Sequence, residues 1–193
     1  MTAMDAQSGG KSVVKTTIGY NDPSSATATG QVRTWKSGAT TYTYAYDARG
    51  NITSVSDGQN TTTYAYDSFD QLVRENNQAA GKTWTYAYDD GGKRITKTVN
   101  DTAYNYHYLG DQLVELTWGG NKLHFTYDST GPLSVSYNGT EYFYVKNAQG
   151  DVTGLVSTSG TRVVTYTYDA WGNLLATTGT MASTLGSANP LRY

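Results

Sequence analysis

The stretch YTYDAWGNLLATTG, residues 166–179, sets two tyrosines and an aspartate ahead of a glycine bend and an apolar pair. The same order occurs in YTYAYDARGNITSV at 42–55, in TTYAYDSFDQLVRE at 62–75 and in WTYAYDDGGKRITKT at 84–98. With the second tyrosine as marker, the copies fall at Tyr46, Tyr66, Tyr88, Tyr108, Tyr127, Tyr144 and Tyr168, in steps of 20, 22, 20, 19, 17 and 24. A repeat period of this size marks an array of stacked units, because one such unit cannot bury its apolar face alone. A degenerate earlier copy is expected at IGYNDPSSATATGQVRTW, residues 18–35.

Each unit carries two turns. The first falls at Ser37-Gly38, Asp57-Gly58, Ala80-Gly81, Asn100-Asp101, Gly119-Gly120, Asn138-Gly139 and Ser159-Gly160. Pairs of this kind supply the positive φ angles of tight hairpins. The second follows the tyrosines, as at Ala48-Arg49-Gly50-Asn51, Ser129-Thr130-Gly131 and Ala170-Trp171-Gly172-Asn173. The intervening Thr, Tyr, Val and Trp suit a half-buried pleated strand. No segment sustains the three-and-four spacing of an amphipathic helix. The predicted fold is therefore all-β, a meander of hairpins.

Alternate strand residues share a face. The pairs Tyr44/Tyr46, Tyr64/Tyr66, Tyr86/Tyr88 and Tyr166/Tyr168, with Tyr127, are thus expected to form one ladder of rings. Asp47, Asp67, Asp89, Asp128 and Asp169 end their strands, where a short carboxylate can hold the following amides and fix a bend. Gly172 and Asn173 tolerate the left-handed backbone that the bend requires. Ile52, Leu72, Ile95, Leu113, Leu133 and Leu174 are expected to resume the next strand in comparable places.

Composition narrows the function. The 193 residues are 37% hydrophobic and include 18 Tyr but three Phe, so a dry core looks thin. A net charge of −2 gives no electrostatic reason to expect nucleic acid or an anionic membrane as partner. No apolar run reaches the roughly 18 residues that would span a bilayer as a helix. The absence of cysteine excludes disulfides, thiolate metal sites and cysteine nucleophiles. His107 and His124 lie in strand-like runs outside any zinc motif. Asp89-Asp90-Gly91-Gly92 lacks the spaced oxygen ligands of a calcium loop. An aspartate that recurs at every corner reads as structural, so neither a catalytic residue nor a cofactor is expected. Asp22-Pro23 reads as a turn.

The pattern Tyr-x-Tyr-Asp-x-x-Gly-Asn resembles the YD repeat of the RHS family. That family includes bacterial wall-associated and polymorphic toxin proteins, the cocoon part of insecticidal toxin complexes, and animal teneurins. The resemblance covers residues 18–193. It is most specific in Tyr144 to Val152, Tyr166 to Asn173 and Asn189 to Tyr193, which are similar to the run entering the RHS-associated core. It implies a spiralling sheet that closes into a shell around a variable C-terminal toxin or effector domain. The family's self-cleaving element has no counterpart in this sequence. On that basis 1–17 is expected as a flexible segment, 18–177 as an array of about eight units, and 178–193 as a loop leading toward the core. Expected partners are adjoining repeat and core segments and a C-terminal toxin cargo, with a secreted or cell-surface location. An uncapped array also suggests edge-to-edge self-association. Two functions stay open: a non-catalytic scaffold wall, or a carbohydrate-binding surface in which Trp84 and Trp171 contact glycans.

Overall fold

The computed structural model describes residues 2–8, 11–21 and 30–192, with side chains from residue 16 onward. Asp22-Pro23 falls outside the described residues. The chain divides into two units, 1–101 and 102–193. The first holds β1 (Thr2–Ser8), β2 (Lys11–Gly19), β3 (Thr34–Ser37), β4 (Thr40–Tyr46), β5 (Ile52–Ser56), β6 (Thr61–Tyr66), β7 (Leu72–Asn77), β8 (Lys82–Tyr88) and β9 (Arg94–Val99). The second holds β10 (Thr102–Leu109), β11 (Gln112–Trp118), β12 (Asn121–Asp128), β13 (Gly131–Tyr137), β14 (Thr140–Lys146), β15 (Val152–Ser157), β16 (Arg162–Tyr168) and β17 (Leu174–Thr178). A single π-helical turn, Ala182–Gly186, follows β17. Within each unit every strand pairs antiparallel with the next, so the fold is an all-β meander.

Residues 1–17, expected to be flexible, carry β1 and most of β2, paired from Thr2↔Ile18 to Ser8↔Lys11. Backbone pairing needs no apolar side chains, which is why a polar stretch could pass for a loose end. Of the tail 178–193, expected as loop, Thr178 ends β17 and residues 181–192 fold back onto the sheet, with Leu185 and Asn189 buried.

The hairpins differ at their two ends. At the glycine-pair end the register is regular in most hairpins, as in Trp35↔Tyr42 and Trp118↔Asn121, and shifts between β15 and β16, where Leu155 faces Val164 but Val156 faces Arg162. At the aspartate end every hairpin has a register shift. Ala45 faces Ser54 but Tyr46 faces Ile52, leaving Thr53 extra. By the same comparison Val73, Ile95, Val114, Leu133, Thr153 and Leu175 are the extra residues of the later hairpins. A bulge adds local twist and bends its strand, so these seven bulges curve the sheet once per repeat.

The bulges correct two sequence readings. Ile95 and Leu133 do not stand where Ile52, Leu72, Leu113 and Leu174 stand. Arg94 and Pro132 do, facing Tyr88 and Tyr127. A one-residue offset sends a side chain to the other face, and Leu133 is 43% exposed. The marker Tyr144 is also misplaced. It faces Leu155 as Tyr44 faces Val55, and Lys146 occupies the second-tyrosine position at its bulge. With Lys146 as marker the steps become 20, 22, 20, 19, 19 and 22.

One face of each unit carries the rings. In the first unit Tyr42, Tyr44, Tyr64, Tyr66, Tyr86 and Tyr88 are half-buried, while the alternating Thr43, Ala45, Thr63, Ala65, Thr85 and Ala87 are exposed. No described side chain of this unit is fully buried. In the second unit Leu123, Phe125, Val135, Leu155, Val164 and Leu185 form a closed core. The register contributes to the difference. Tyr64 faces Glu75 and Tyr86 faces Lys97, whereas Tyr106 faces Leu116 and Tyr144 faces Leu155.

This register predicts opposite costs for two leucines. Leu133→Thr at the bulge should shift stability by no more than about 0.5 kcal/mol, as surface changes do. Leu123→Ala should cost about 2–5 kcal/mol, since Leu123 is 0% exposed. Urea unfolding of both variants checks the assignment.

Candidate functional site

The repeated chemistry sits at the aspartate corners. Asp47 Oδ1 accepts the amides of Arg49 and Asn51, both at 2.9 Å. Asp67 Oδ1 does the same with Phe69 at 2.9 Å and Gln71 at 3.0 Å. Asp89 takes Gly91 and Lys93 at 3.0 and 2.9 Å, and Asp169 takes Trp171 and Asn173 at 2.8 and 2.9 Å. Asn147 performs the same task at its corner, holding Gln149 at 3.0 Å and Asp151 at 2.9 Å. The backbone closes the same ring each time. The corner residue's N–H donates to the carbonyl four residues on, as Asp47 does to Asn51 and Asp169 to Asn173. The N–H three residues on returns to its carbonyl. That third position needs positive φ, and it is Gly50, Asp70, Gly92, Gly150 and Gly172 in turn. Asp128 belongs to a shorter corner, where it holds the amide and the hydroxyl of Thr130, each at 2.7 Å.

A second set of bonds ties four of the repeats to the chain before them. The hydroxyl of Tyr46 donates to the carbonyl of Val32 at 2.6 Å, and Tyr88 donates to Leu72 at 2.8 Å. Tyr127 donates to Leu113, and Tyr168 to Val152, both at 2.7 Å. These carbonyls lie just beyond the paired ladders. The β7–β8 ladder begins at Arg74↔Thr85 and the β15–β16 ladder at Gly154↔Thr165. Beyond the start of the ladder, the phenol supplies such a carbonyl with a donor. This accounts for Tyr at positions where Phe would fill the same space. Tyr66 makes no such bond. Lys146 reaches the previous corner instead, with Nζ 3.4 Å from the carbonyl of Thr130.

Neighbouring corners also touch. Arg49 pairs with Asp70 at 3.0 Å and donates to the carbonyl of Asp67 at 2.8 Å, while the Asn51 amide group reaches Asp70 at 2.7 Å. Asp70 therefore stands in a glycine position, at φ 62°, with its carboxylate used between repeats.

The electrostatics follow the bonding. The Asn51 amide holds the Asp47 carboxyl below its ordinary range, with help from the Asn51 side chain and the Arg49 amide. The Asn173 side chain and amide do the same for Asp169, and the Thr130 hydroxyl and amide for Asp128. On the ring face the effect reverses. Burial pushes the Tyr144 phenol far above its ordinary value, with Tyr166 and Tyr127 adding to the rise.

The expected site residues thus fall into two sets. Asp47, Asp67, Asp89 and Asp169 are brought to equivalent corners, with Gly172 and Asn173 inside the last. Tyr44, Tyr64, Tyr86 and Tyr166 lie along the ring face, and Tyr46, Tyr88, Tyr127 and Tyr168 reach back between repeats. The two tryptophans are not brought together within a unit. Trp84 is half-buried beside Glu75 in the first unit, and Trp171 projects from a corner of the second, 86% exposed. Trp35 and Trp118 stack on Tyr42 and Tyr104, at ring separations of 5.1 and 5.8 Å. His107 and His124 flank Glu115 in register, and Glu115 pairs with Lys122 at 2.9 Å. Among the described residues no group of three His, Asp or Glu side chains is placed to hold a metal ion. Asn189 escaped sequence reasoning as a site residue, because an Asn-Pro in a small-residue tail looks like a turn.

The tyrosine bonds separate a ring from its hydroxyl. Tyr88→Phe should cost about 1 kcal/mol, the net worth of one hydrogen bond. Tyr66→Phe should be close to neutral, and Tyr88→Ala should cost about 3 kcal/mol or more. Chemical denaturation of the three variants provides the check.

The corner carboxylates also set an acid response. A carboxyl with a lowered folded-state pKa contributes stability that is present above its ordinary value of 3.8 and is lost as pH falls through the lowered one. Asp169→Asn keeps the accepting oxygen, as Asn147 does, and removes the titration. Wild type should be the more stable at neutral pH, and the gap should narrow as the pH drops below 3.8. Denaturation curves at several acid pH values measure this gap.

Comparison with known proteins agrees with the repeat. The teneurin YD-shell family matches residues 9–184. The chain is 42% identical over 130 residues to the tRNA3(Ser)-specific nuclease WapA of Bacillus spizizenii, covering 64% of this chain and 5% of that protein. It is 38% identical over 130 residues to the tRNA nuclease WapA of Bacillus subtilis strain 168, with the same coverage. It thus spans about a twentieth of the length of these relatives. Among solved structures, TcdB2-TccC3-Cdc42 superposes with a TM-score of 0.50 at 17% identity, over 88% of this chain and 11% of that one. TcdB2-TccC3 superposes with a TM-score of 0.50, also at 17% identity, over 95% of this chain and 11% of that one. At such identity the likeness concerns the fold. The repeated tyrosine–aspartate corner, the hairpin meander and the match over residues 9–184 together place the chain in the teneurin YD-shell family, within the wider group of RHS/YD-repeat proteins.

Proposed function

We propose that the chain is a non-catalytic section of a shell wall, part of a longer polypeptide, which encloses or presents a C-terminal toxin or effector domain. The observation that carries this reading is the use of the aspartates. At successive corners Oδ1 of each aspartate accepts two backbone amides. An oxygen that holds two amides fixes a bend, which is a structural task. The relatives named as nucleases and the toxin-complex structures give context for a cargo. Their activities are not carried over, because this chain matches so small a part of them. The partners in this reading are the adjoining shell segments, which would meet the sheet edges by strand pairing, and the cargo itself. Without those segments, exposed edges favour self-association. The reading places the protein outside the cell or at its surface.

A carbohydrate-binding role has less support. It rests on the exposed Trp171 beside Leu174 and Leu175, since the Trp84 ring is half-buried in the other unit.

The wall reading is tested on the natural full-length polypeptide by limited proteolysis. The C-terminal domain should survive protease while attached to the intact wall and be digested when expressed alone. Equal digestion in both forms would remove the enclosure reading. Saturable quenching of Trp171 fluorescence by cell-wall glycans, lost in Trp171→Ala, would favour the carbohydrate reading instead.

A further inference from the structure

After β17 the chain reverses and lies on the ring face of the second unit. Gly179 makes the reversal, with φ 111° and no room for a Cβ, which would sit 2.3 Å from the Val163 carbonyl. Met181 N–H then donates to that carbonyl at 3.0 Å. Leu185 enters the core, and Gly186 packs closely on Val164 and Thr177. At the far end Val152 N–H donates to the Arg192 carbonyl at 3.0 Å.

Between these anchors Asn189 is 0% exposed, and its side chain is fully used. Oδ1 accepts from the Tyr144 hydroxyl at 2.8 Å and from Leu191 N–H at 3.3 Å. Nδ2 donates to the Leu191 carbonyl at 2.7 Å and to the Tyr166 hydroxyl at 3.3 Å. That hydroxyl gives its own proton to the Gly186 carbonyl at 2.9 Å. Arg192 donates to the carbonyls of Asn189, Gly186 and Ser187 and stacks 5.3 Å from the Tyr166 ring. Most of the polar bonds tie the segment to itself or to the two tyrosine hydroxyls.

We propose that the ring face of β14, β15 and β16 is a peptide-binding site, occupied here by the chain's own residues 181–192, and that this segment is a separable ligand. It behaves as a preformed plug: it makes one π-helical turn, is cross-linked internally by Asn189 and Arg192, and presents Leu185 to a pocket. Its attachment to β17 runs only through exposed Thr178, Gly179 and Thr180. The ligand class is a peptide with a carboxamide held between two phenols. A carboxylate in place of Asn189 is rejected, because an oxygen would replace Nδ2 against the Leu191 carbonyl and against a Tyr166 hydroxyl whose proton is already given away. A buried acceptor facing two acceptors loses both bonds, and on the order of 100-fold in affinity follows. The proposal does not depend on the enclosed-cargo reading.

A protease recognition sequence inserted between Gly179 and Thr180 of the full chain tests it. After folding and cleavage, the released 180–193 fragment should remain with the body on gel filtration at micromolar concentration. It should exchange with labelled synthetic 180–193 peptide, and an Asn189→Asp version of that peptide should compete on the order of 100-fold more weakly. Immediate loss of the fragment, with no binding of labelled peptide, would overturn the proposal. Should the insertion prevent folding, hydrogen exchange on the uninterrupted Asn189→Ala chain decides. Exchange should quicken at Met181, Gly186 and Asn189's position while Leu123 to Val135 stay protected. Loss of protection throughout the second unit would make the segment an integral part of the fold and overturn the proposal.

Discussion

The corner carboxylate is the constraint on which the rest depends. A meander of short hairpins can continue only if each bend leaves its backbone groups paired, since buried or half-buried orphan groups are costly. One aspartate oxygen satisfies two amides of the five-residue corner, and the backbone closes the remaining ring. A bulge lies in the pairing next to the bend, and the carbonyl of the residue that resumes the strand there faces the following repeat. The second tyrosine's hydroxyl meets that carbonyl. Aspartate, bulge and tyrosine thus meet at the same end of the hairpin, which is why they recur together in the sequence.

The same scaffold supports two different interiors. In the first unit Glu75, Lys97 and Arg94 face Tyr64, Tyr86 and Tyr88, and the ring face is half-buried. Tyrosine suits that setting, because its ring contributes apolar area and its hydroxyl tolerates water. In the second unit Leu116, Leu113 and Leu155 face Tyr106, Tyr108 and Tyr144, and the chain's tail lies against Tyr144 and Tyr166. Burial there explains why the Tyr144 phenol resists ionisation so strongly.

Much of this was legible from residues alone. The period, the seven hairpin turns, the all-β class and the corner role of the aspartates follow from local chemistry, and local chemistry is what a short repeat writes plainly. The register was less accessible. Counting tyrosines chose Tyr144 over Lys146, because a cation had replaced the expected ring at the bulge. Counting leucines put Ile95 and Leu133 in places comparable to Ile52 and Leu72, because an inserted residue per hairpin shifts the alternation without changing composition. The tail was opaque for a different reason. Its fold depends on Tyr144 and Tyr166, 45 and 23 residues before Asn189, and no periodicity reports a contact of that kind.

The central claim is that each aspartate corner is a closed hydrogen-bonded ring and not a solvated loop. Hydrogen exchange resolved by residue tests it most directly. The amides at Arg49, Asn51, Phe69, Gln71, Gly91, Lys93, Trp171 and Asn173 lie at exposed or half-exposed corners, yet they should exchange as slowly as their flanking strands. Ala48, Ser68, Asp90 and Ala170, one residue into each corner, should exchange quickly. Uniformly fast exchange across the corners would contradict the claim.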